Sequence, residues 1–525
     1  MHYDAIVVGG GIAGLTASAY LSRAGHKTLL IEKEPYCGGL VNSFTREGFT
    51  YDGGIRATES AGVLFLMLKQ LGLEVDFVKN HVSLGVEDRV MQVDADDNVQ
   101  AYQDLFTHFY PENADEIKQI RDEIEKIMQY VDILYGIDNP VFLDPVKDGK
   151  YFLTDVIPWV FRFLFTFRKI EALNEPVVDF LKRFTQNQSL IDVISQHFFE
   201  ETPAFFALSY LKLYMDYYYP KGGTGMLIKT LVNYIEAQGG TIQNNTLITA
   251  LDAAEKKLTD ADGNEYTYDE LVWAADLNTL YRFVDPEKLP KAKDAILQRR
   301  KELDGKTGGD SLFTLYMAVD LDRDYFANIA SGHFFYTPYK TGESAAGPLP
   351  FSQGRRAIED WMKKFCELTT YEIAIPVVRD ESLAPEGKSA LIVSMLFDYH
   401  LTKEIEEAGW YPEFKKQVEE HIINTLNATI YPGIKEKIIH QFSATPLTME
   451  SYTNNTHGAI TGWAFTNDPL PAEYRLLSIS NAVHTPIPHI SQAGQWTYSP
   501  AGLPISILTG KMAADRALKG LKKQR

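Results

Sequence analysis

The sequence predicts a protein of the α/β class, with a parallel sheet flanked by helices, a mixed α+β region and a helical cap. Three observations lead there. Residues from Tyr3 to about 60 read strand, glycine turn, helix, strand; residues from about 60 to 215 turn helical and aromatic; and from Gly222 a glycine turn, a helix and short strands return. Alternation of this kind is the pattern of strands joined by helical crossovers.

In chain order, Ala5 to Val8 forms a short apolar strand, and Ile12 to Ala24 carries the small and apolar residues that close helix–sheet packing needs. Gly25 stops that helix, and Thr28 to Ile31 is a second buried strand. Ala114 to Tyr135 is charged and helically periodic, and Ser195 to Tyr219 is the aromatic part of the cap. A helix then ends at Gly239-Gly240, Asp262-Gly263 marks a hairpin, and Glu270 to Ala275 is an apolar strand. Strands over Leu312 to Val319 and Ala390 to Leu396 and a helix over Pro412 to Leu426 follow. The tail from Leu476 reads strand, irregular segment with Gly494, and a helix starting near Pro500.

The chemistry begins at Gly9, Gly11 and Gly14, which fit G-x-G-x-x-G directly after a strand, with seventeen residues between Gly14 and the acid Glu32. Gly9 permits the tight turn, Gly11 removes a side chain that would block a diphosphate, and Gly14 lets helix and strand approach. The free N–H groups and positive dipole of the helix start then face the phosphates. Glu32 would accept hydrogen bonds from a ribose diol and repel a 2′-phosphate, so the site disfavours NADP. Gly38-Gly39 and Tyr51-Asp52-Gly53-Gly54 extend the glycine-rich surface beyond one mononucleotide half, which favours FAD over NAD.

With these residues the sequence resembles the phytoene desaturase, carotenoid isomerase and retinol saturase family, inside the amine oxidase-like flavoproteins. Tyr219-Pro220-Lys221-Gly222-Gly223, the run Ser382 to Lys388, Ser499 to Pro504 and Leu508-Thr509-Gly510-Lys511 carry the likeness, which covers essentially the whole chain. The resemblance implies a Rossmann-like FAD-binding domain assembled from discontinuous segments, residues 1–80, 216–284 and 471–525. It also implies a helical substrate or cap region over 81–215, a mixed α+β substrate domain over 285–470, and an apolar tunnel ending at the flavin ring.

Carried over residue by residue, the family pattern places Gly9, Gly11 and Gly14 at the diphosphate, with Ile12 and Ala13 between them, and Glu32 with Lys33 at the adenosine ribose. Gly38 and Gly39 stand near the phosphates, Ile248 is beside adenine through its backbone, and Gly494 to Gly502 and Leu503 lie by the ribityl chain and ring. Leu40, Gly54, Ile55, Arg56 and Ala275 complete the expected cofactor site. Three departures stand out: Leu40 where many relatives carry arginine, Gln495-Trp496-Thr497-Tyr498 in place of a glycine-rich run, and Arg56 where the retinol-saturase pattern has histidine. Arg56 is either a polar contact beside the flavin, and so a candidate catalytic residue, or a buried arginine paired with a carboxylate.

An FAD enzyme of this kind acts on C–C or C=C bonds by hydride transfer, and a helix start near Pro500 and Ala501 is the expected stabiliser of the reduced ring's negative charge. No second G-x-G-x-x-G precedes a strand and an acid, so electrons are expected to pass to or from dioxygen, a quinone or another external partner. The expected substrate is a long apolar polyene or isoprenoid-like lipid. Two alternatives stay open: an oxidase of a small polar amine, and a non-catalytic prenyl-holding protein similar to Rab escort and GDP-dissociation-inhibitor proteins.

Composition sets the outer bounds. At 525 residues, two to four domains are expected. A formal charge of −19 argues against nucleic acid as a partner, because phosphate affinity rests on clustered Lys and Arg. Cys37 and Cys366 are too few for a disulfide framework, which points to reducing cytoplasm. The first strand leaves no room for a signal sequence, and the apolar window Val156 to Phe167, broken by Arg162, is too short to span a bilayer but suited to lie on its inner face. There the stripe Trp159, Phe161, Phe163, Leu164 and Phe167 stands beside Arg162, Arg168 and Lys169.

Twenty-nine Phe and 29 Tyr suggest a large apolar cavity, and the run from Phe198 and Phe199 through Phe205, Phe206, Tyr210 and Tyr214 to Tyr217, Tyr218 and Tyr219 is its expected lining. Cys37, His484 and His489 are read as packing or surface residues, and no spacing of His or acidic residues suggests a metal.

Overall fold

The computed structural model describes residues 1–93, 98–144 and 147–524. Two seven-stranded sheets organise it. In the first, the strand His2–Val8 lies between Thr28–Ile31 and Glu265–Trp273, parallel to both, and Thr241–Gln243 extends the edge beyond Thr28–Ile31. The far half of Glu265–Trp273 also pairs with Ile490–Gln492, which brings the C-terminal part of the chain to the same sheet. All four residues of Thr28–Ile31 are buried, as expected of a strand covered on both faces.

The helix Ile12–Arg23 is buried along eleven of its twelve residues. Small side chains make that possible, because one side meets the sheet and another meets the C-terminal helix Leu503–Gln524. A Cβ on Gly510 would lie 2.4 Å from the carbonyl oxygen of Ala13, so the two helices touch backbone to backbone. The C-terminal helix opens at Leu503 rather than near Pro500, since Gly502 at φ +144° lies outside the helical basin. The stretch from Leu476 is a short 3₁₀ helix to Asn481 and not a strand; the strand comes later, at Ile490–Gln492.

The second sheet runs Ile438–Ala444, Ser311–Val319, Ser389–Phe397, Tyr371–Ala374, His333–Thr337, Val82–Val86, Arg89–Gln92. All its pairs are antiparallel except His333–Thr337 with Val82–Val86. Val82–Val86 and Arg89–Gln92 fall within the stretch expected to be helical; they are strands because Val82–Val86 pairs with the distant His333–Thr337 and Arg89–Gln92 pairs back on it. Tyr217–Pro220, expected to end the aromatic cap helices, is likewise a strand, held between Thr58–Glu59 and Phe77–Lys79.

The cap is built around the helix Ala114–Tyr135, whose Ile117, Ile120, Ile124, Ile127 and Val131 recur at helical spacing on its buried side. Against it packs the helix Ile157–Glu171, which buries Phe163, Thr166 and Ile170 and stacks Trp159 on Phe163 at 4.8 Å. The expected apolar stripe therefore divides. Trp159 and Phe163 turn inward, while Ile157, Val160, Phe161, Leu164 and Phe165 form a second apolar face turned outward, with Phe161 62% and Phe165 81% exposed. Among the described residues no helix is long and apolar enough to cross a membrane.

The cap is tied to the connection that follows His333–Thr337 through Asp192, which accepts from the backbone N–H and hydroxyl of Ser344. Beside it, burial first and then Asp192 and Asp310 push the Glu343 carboxyl up to about 7 from its ordinary 4.5. Between those two values the folded protein holds a proton that the unfolded chain has released, so stability falls as pH rises through that window. Glu343→Gln keeps an acceptor for the Thr369 hydroxyl and removes the ionisation. It is expected to raise stability at pH 8 by about 1 kcal/mol, and to leave it unchanged at pH 4. Thermal unfolding of the two proteins across pH 4–8 reads the difference.

Candidate functional site

Where the two sheets and the cap meet lies a cavity of about 420 Å³. Its first wall is the turn after His2–Val8. Gly9, Gly11, Ile12 and Ala13 line it, and the helix that follows has Gly11 as its N-cap with no side chain bonded to its free N–H groups. A Cβ built on Gly11 meets nothing within 4 Å, because it would enter the cavity. Gly14, expected at the diphosphate, does not line the cavity: its Cβ would lie 1.9 Å from the carbonyl oxygen of Gly9, so it serves only the contact between helix and strand.

Glu32 directly follows the second strand and lines the cavity with Lys33. Its Oε2 accepts from the N–H of Gly10 at 2.6 Å and its Oε1 from the N–H of Glu34 at 2.9 Å, which fixes the carboxylate and leaves it further lone pairs for a diol. Ile248 and Ala275 stand on the same side. Cys37 is buried under the turn, where burial and then Glu32 and Glu236 push its thiol up to about 12, so it stays a protonated packing group.

Gly38, Gly39 and Leu40 meet Gly54, Ile55 and Arg56 to form the next wall. The two loops are zipped by Ile55 N–H to Leu40 O at 2.9 Å and Gly53 N–H to Asn42 O at 2.8 Å. Gly494, Gly502 and Leu503 close the far side, and the start of the C-terminal helix faces the cavity there with its positive dipole end. Of Gln495-Trp496-Thr497-Tyr498, Gln495 and Trp496 reach the cavity, and Trp496 is held edge-on to Trp463 at 4.8 Å. His484 and His489 lie elsewhere, the latter beside Glu270 at 2.8 Å.

Arg56 is 3% exposed, and among the described residues no carboxylate lies within ion-pair distance of it. Its Nη1 donates to the carbonyls of Asp52 at 2.8 Å and Gly54 at 2.6 Å, and its Nη2 to Ser394 Oγ at 2.8 Å. Below it lie residues that sequence reasoning missed. Glu372 Oε1 accepts from His333 Nε2 at 2.9 Å, and Arg379 donates to Asn80 Oδ1 at 3.0 Å while its guanidinium lies 3.8 Å over the ring of Tyr219. Burial drives the Glu372 carboxyl upward, but the His333 hydrogen bond, with the charges of Arg56 and Arg379, outweighs it, and the net direction is down: Glu372 is ionised. Burial lowers His333, which is therefore neutral.

Beyond Glu372 a second chamber of about 160 Å³ opens, walled by Phe198, Phe199, Phe206, Tyr210, Tyr214 and Tyr217. Phe199, Tyr210, Tyr217, His333 and Glu372 line both spaces, so the two adjoin. Phe205, Tyr218 and Tyr219 of the expected lining do not reach it; Tyr219 instead donates to Asp52 Oδ2 at 2.8 Å. His197 also borders the chamber, and burial takes it down to about 4, which leaves it neutral.

Parallel strands with an uncapped helix start over open space, an acid fixed after the second strand and an adjoining aromatic chamber define a dinucleotide-dependent oxidoreductase. The chain belongs to the family of flavin containing amine oxidoreductases, whose model matches residues 12–317. It is an FAD-dependent enzyme, and the non-catalytic alternative falls away.

Among curated relatives, it is 25% identical to all-trans-retinol 13,14-reductase of Danio rerio, over 94% of this chain and 82% of that one. Phytoene desaturase (lycopene-forming) of Pseudescherichia vulneris is 22% identical, over 98% and 99%. Of solved structures, an oxidoreductase from Methanosarcina mazei superposes with a TM-score of 0.62 at 14% identity, over 99% of this chain and 100% of that one, a likeness of fold.

Proposed function

We propose that this enzyme desaturates, saturates or isomerises C–C and C=C bonds of a long apolar polyene or isoprenoid-like lipid. One observation carries the reading: the cavity beside the glycine turn adjoins a chamber walled by aromatic rings, with Phe199, Tyr210 and Tyr217 lining both. A concave, mainly apolar space with few polar groups suits a long hydrocarbon. The flavin, when bound, supplies two-electron chemistry, with dioxygen, a quinone or another external partner completing the cycle.

The chain's own residues do the rest. The uncapped N–H groups after Gly11 would hold the diphosphate, and Glu32 the adenosine ribose. The start of the C-terminal helix at Leu503 would favour negative charge on the ring, and Arg56 would stiffen the loop of Gly54 and Ile55 on which the ring rests. The aromatic walls exclude water.

Protein purified without detergent washing is expected to be yellow, to release FAD on denaturation, and to yield an isoprenoid or polyene lipid to mass spectrometry of its extract. Colourless protein that takes up no FAD on reconstitution, or an extract holding only polar metabolites, overturns the reading.

Such a substrate resides in membrane, and the outward apolar face of Ile157–Glu171 with Arg162, Arg168 and Lys169 suits an interfacial helix at an anionic surface. Replacing Phe161 and Phe165 together by Asp removes two large apolar contacts of about 1.5–3 kcal/mol each. Sedimentation with phosphatidylglycerol vesicles is expected to show a loss of binding of roughly 100-fold. Unchanged binding would remove this helix from the account.

A second reading, oxidation of a polar amine, is favoured by one feature, the Glu372 carboxylate among aromatic rings. Hydrogen peroxide released on a panel of amines would support it.

A further inference from the structure

The face of the second sheet that floors the chamber carries a row of polar residues. Thr314 pairs with Ser394 and Ser394 with Glu372 directly across the ladder, and the Thr314 and Ser394 hydroxyls stand 3.0 Å apart. Everything else around the chamber is aromatic or aliphatic apart from His197, His333 and Thr370. An ionised carboxylate on such a wall demands a reason, because a charge facing hydrocarbon loses its hydration without return.

Its orientation is fixed by a chain of donors with one direction. Arg379 Nη1 donates to Asn80 Oδ1; this turns the Asn80 amide nitrogen toward His333 Nδ1, 3.4 Å away, and His333 then carries its proton on Nε2 and gives it to Glu372 Oε1. Asn80 and His333 are buried, so the chain has no competing solvent partner. Glu372 Oε2 is left to the cavity side, with no donor to it among the described residues. Buried charges nearby are already balanced: Arg56 and Arg379 against Asp52 and Glu372. An ammonium arriving here would leave an unmatched positive charge, whereas a hydroxyl would satisfy Oε2 and change no charge.

We propose that Glu372 is a specificity-determining residue that anchors a neutral hydrogen-bond donor, so that the substrate is an apolar chain bearing a hydroxyl group and not a pure hydrocarbon or an amine. The inference rests on the reading of the chamber as a lipid site. His333, Asn80 and Arg379 are positioning residues, acting through Glu372.

The test uses full-length FAD-loaded protein titrated with farnesol, farnesyl methyl ether, farnesal and farnesylamine, read by quenching of tyrosine fluorescence and by the shift of the flavin absorption band. Wild type is expected to bind farnesol about tenfold more tightly than the methyl ether, as a hydrogen bond to a charged acceptor warrants. Glu372→Gln keeps an oxygen for His333 and turns amide N–H groups to the chamber. It is expected to weaken farnesol about tenfold and to tighten farnesal, a reversal that a merely structural role would not produce.

Equal affinities for farnesol and its ether in wild type, tighter binding of farnesylamine, or an equal loss for every probe in the variant each overturns the proposal. The wild-type comparison holds whether or not the variant folds. If none of the four probes binds while FAD content is normal, the lipid reading itself fails and takes this inference with it; if all bind alike, only this inference falls.

Discussion

Gly11→Val is expected to give a folded protein that purifies without colour. The position of a Cβ on Gly11 has nothing within 4 Å, so the protein itself offers no clash, and the apoprotein should melt within a degree or two of the wild type. What the two added methyl groups occupy is the space directly over the uncapped N–H groups of the helix Ile12–Arg23. A diphosphate held off those groups loses both its hydrogen bonds and the helix dipole, and FAD affinity should fall by roughly 100-fold or more.

Gly14→Ala, three residues on, should do the opposite in order. Its Cβ would sit 1.9 Å from the Gly9 carbonyl oxygen, backbone against side chain with no flexible group to yield. Folding itself should suffer, by about 3 kcal/mol or more. Urea unfolding of the two apoproteins, beside FAD titration by fluorescence, separates the effects: loss of affinity with stability kept for the first, loss of stability for the second. A Gly11→Val protein that still binds FAD at wild-type affinity would mean that the diphosphate lies elsewhere.

Asp52→Ala is expected to produce the largest loss of stability from a single polar side chain. Asp52 is fully buried, and four donors converge on it: the Ser43 hydroxyl at 2.8 Å, the Thr224 N–H at 2.9 Å, the Thr224 hydroxyl at 3.0 Å and the Tyr219 hydroxyl at 2.8 Å. Arg379 Nη2 lies 3.9 Å away. The one carboxylate thereby joins the hairpin Ser43–Arg46 and Phe49–Asp52 to the start of the helix Gly225–Ala237 and to the strand Tyr217–Pro220. Removal leaves those donors and the Arg379 guanidinium without their acceptor, a loss of about 3–5 kcal/mol.

Asp52→Asn retains one oxygen for Thr224 and Ser43 and should lose about 1–2 kcal/mol. The order of urea midpoints, wild type above Asn above Ala, checks the account. Because Asp52 anchors the hairpin that leads into the cavity-lining loop of Gly54, Ile55 and Arg56, the Ala variant should bind FAD substoichiometrically even where it remains folded.

The part of the fold legible in advance is the part made by neighbours in sequence. Strand, glycine turn, helix and strand lie within Tyr3 to Glu32, and each is specified by its own residues: the buried run, the small residues of Ile12–Arg23, the stop at Gly25. For the same reason the helix Ala114–Tyr135 and the strand Thr28–Ile31 fall where the sequence predicts. Errors gathered where a segment's state depends on a distant partner. Val82–Val86 is a strand because His333–Thr337 lies beside it, and Tyr217–Pro220 is a strand because two short segments before residue 80 bracket it. Local pattern shows neither.

By itself the sequence determined the glycine turn, the acid that follows the second strand and the aromatic character of the chamber, since glycine spacing, a terminal carboxylate and composition act at short range. Only tertiary structure decided the polar floor. Glu372, His333, Asn80, Arg379 and Arg56 come from five separate segments, and whether a strand residue meets the cavity or the opposite face is set by which neighbours it pairs with, in a register where a slip of one residue reverses every side chain.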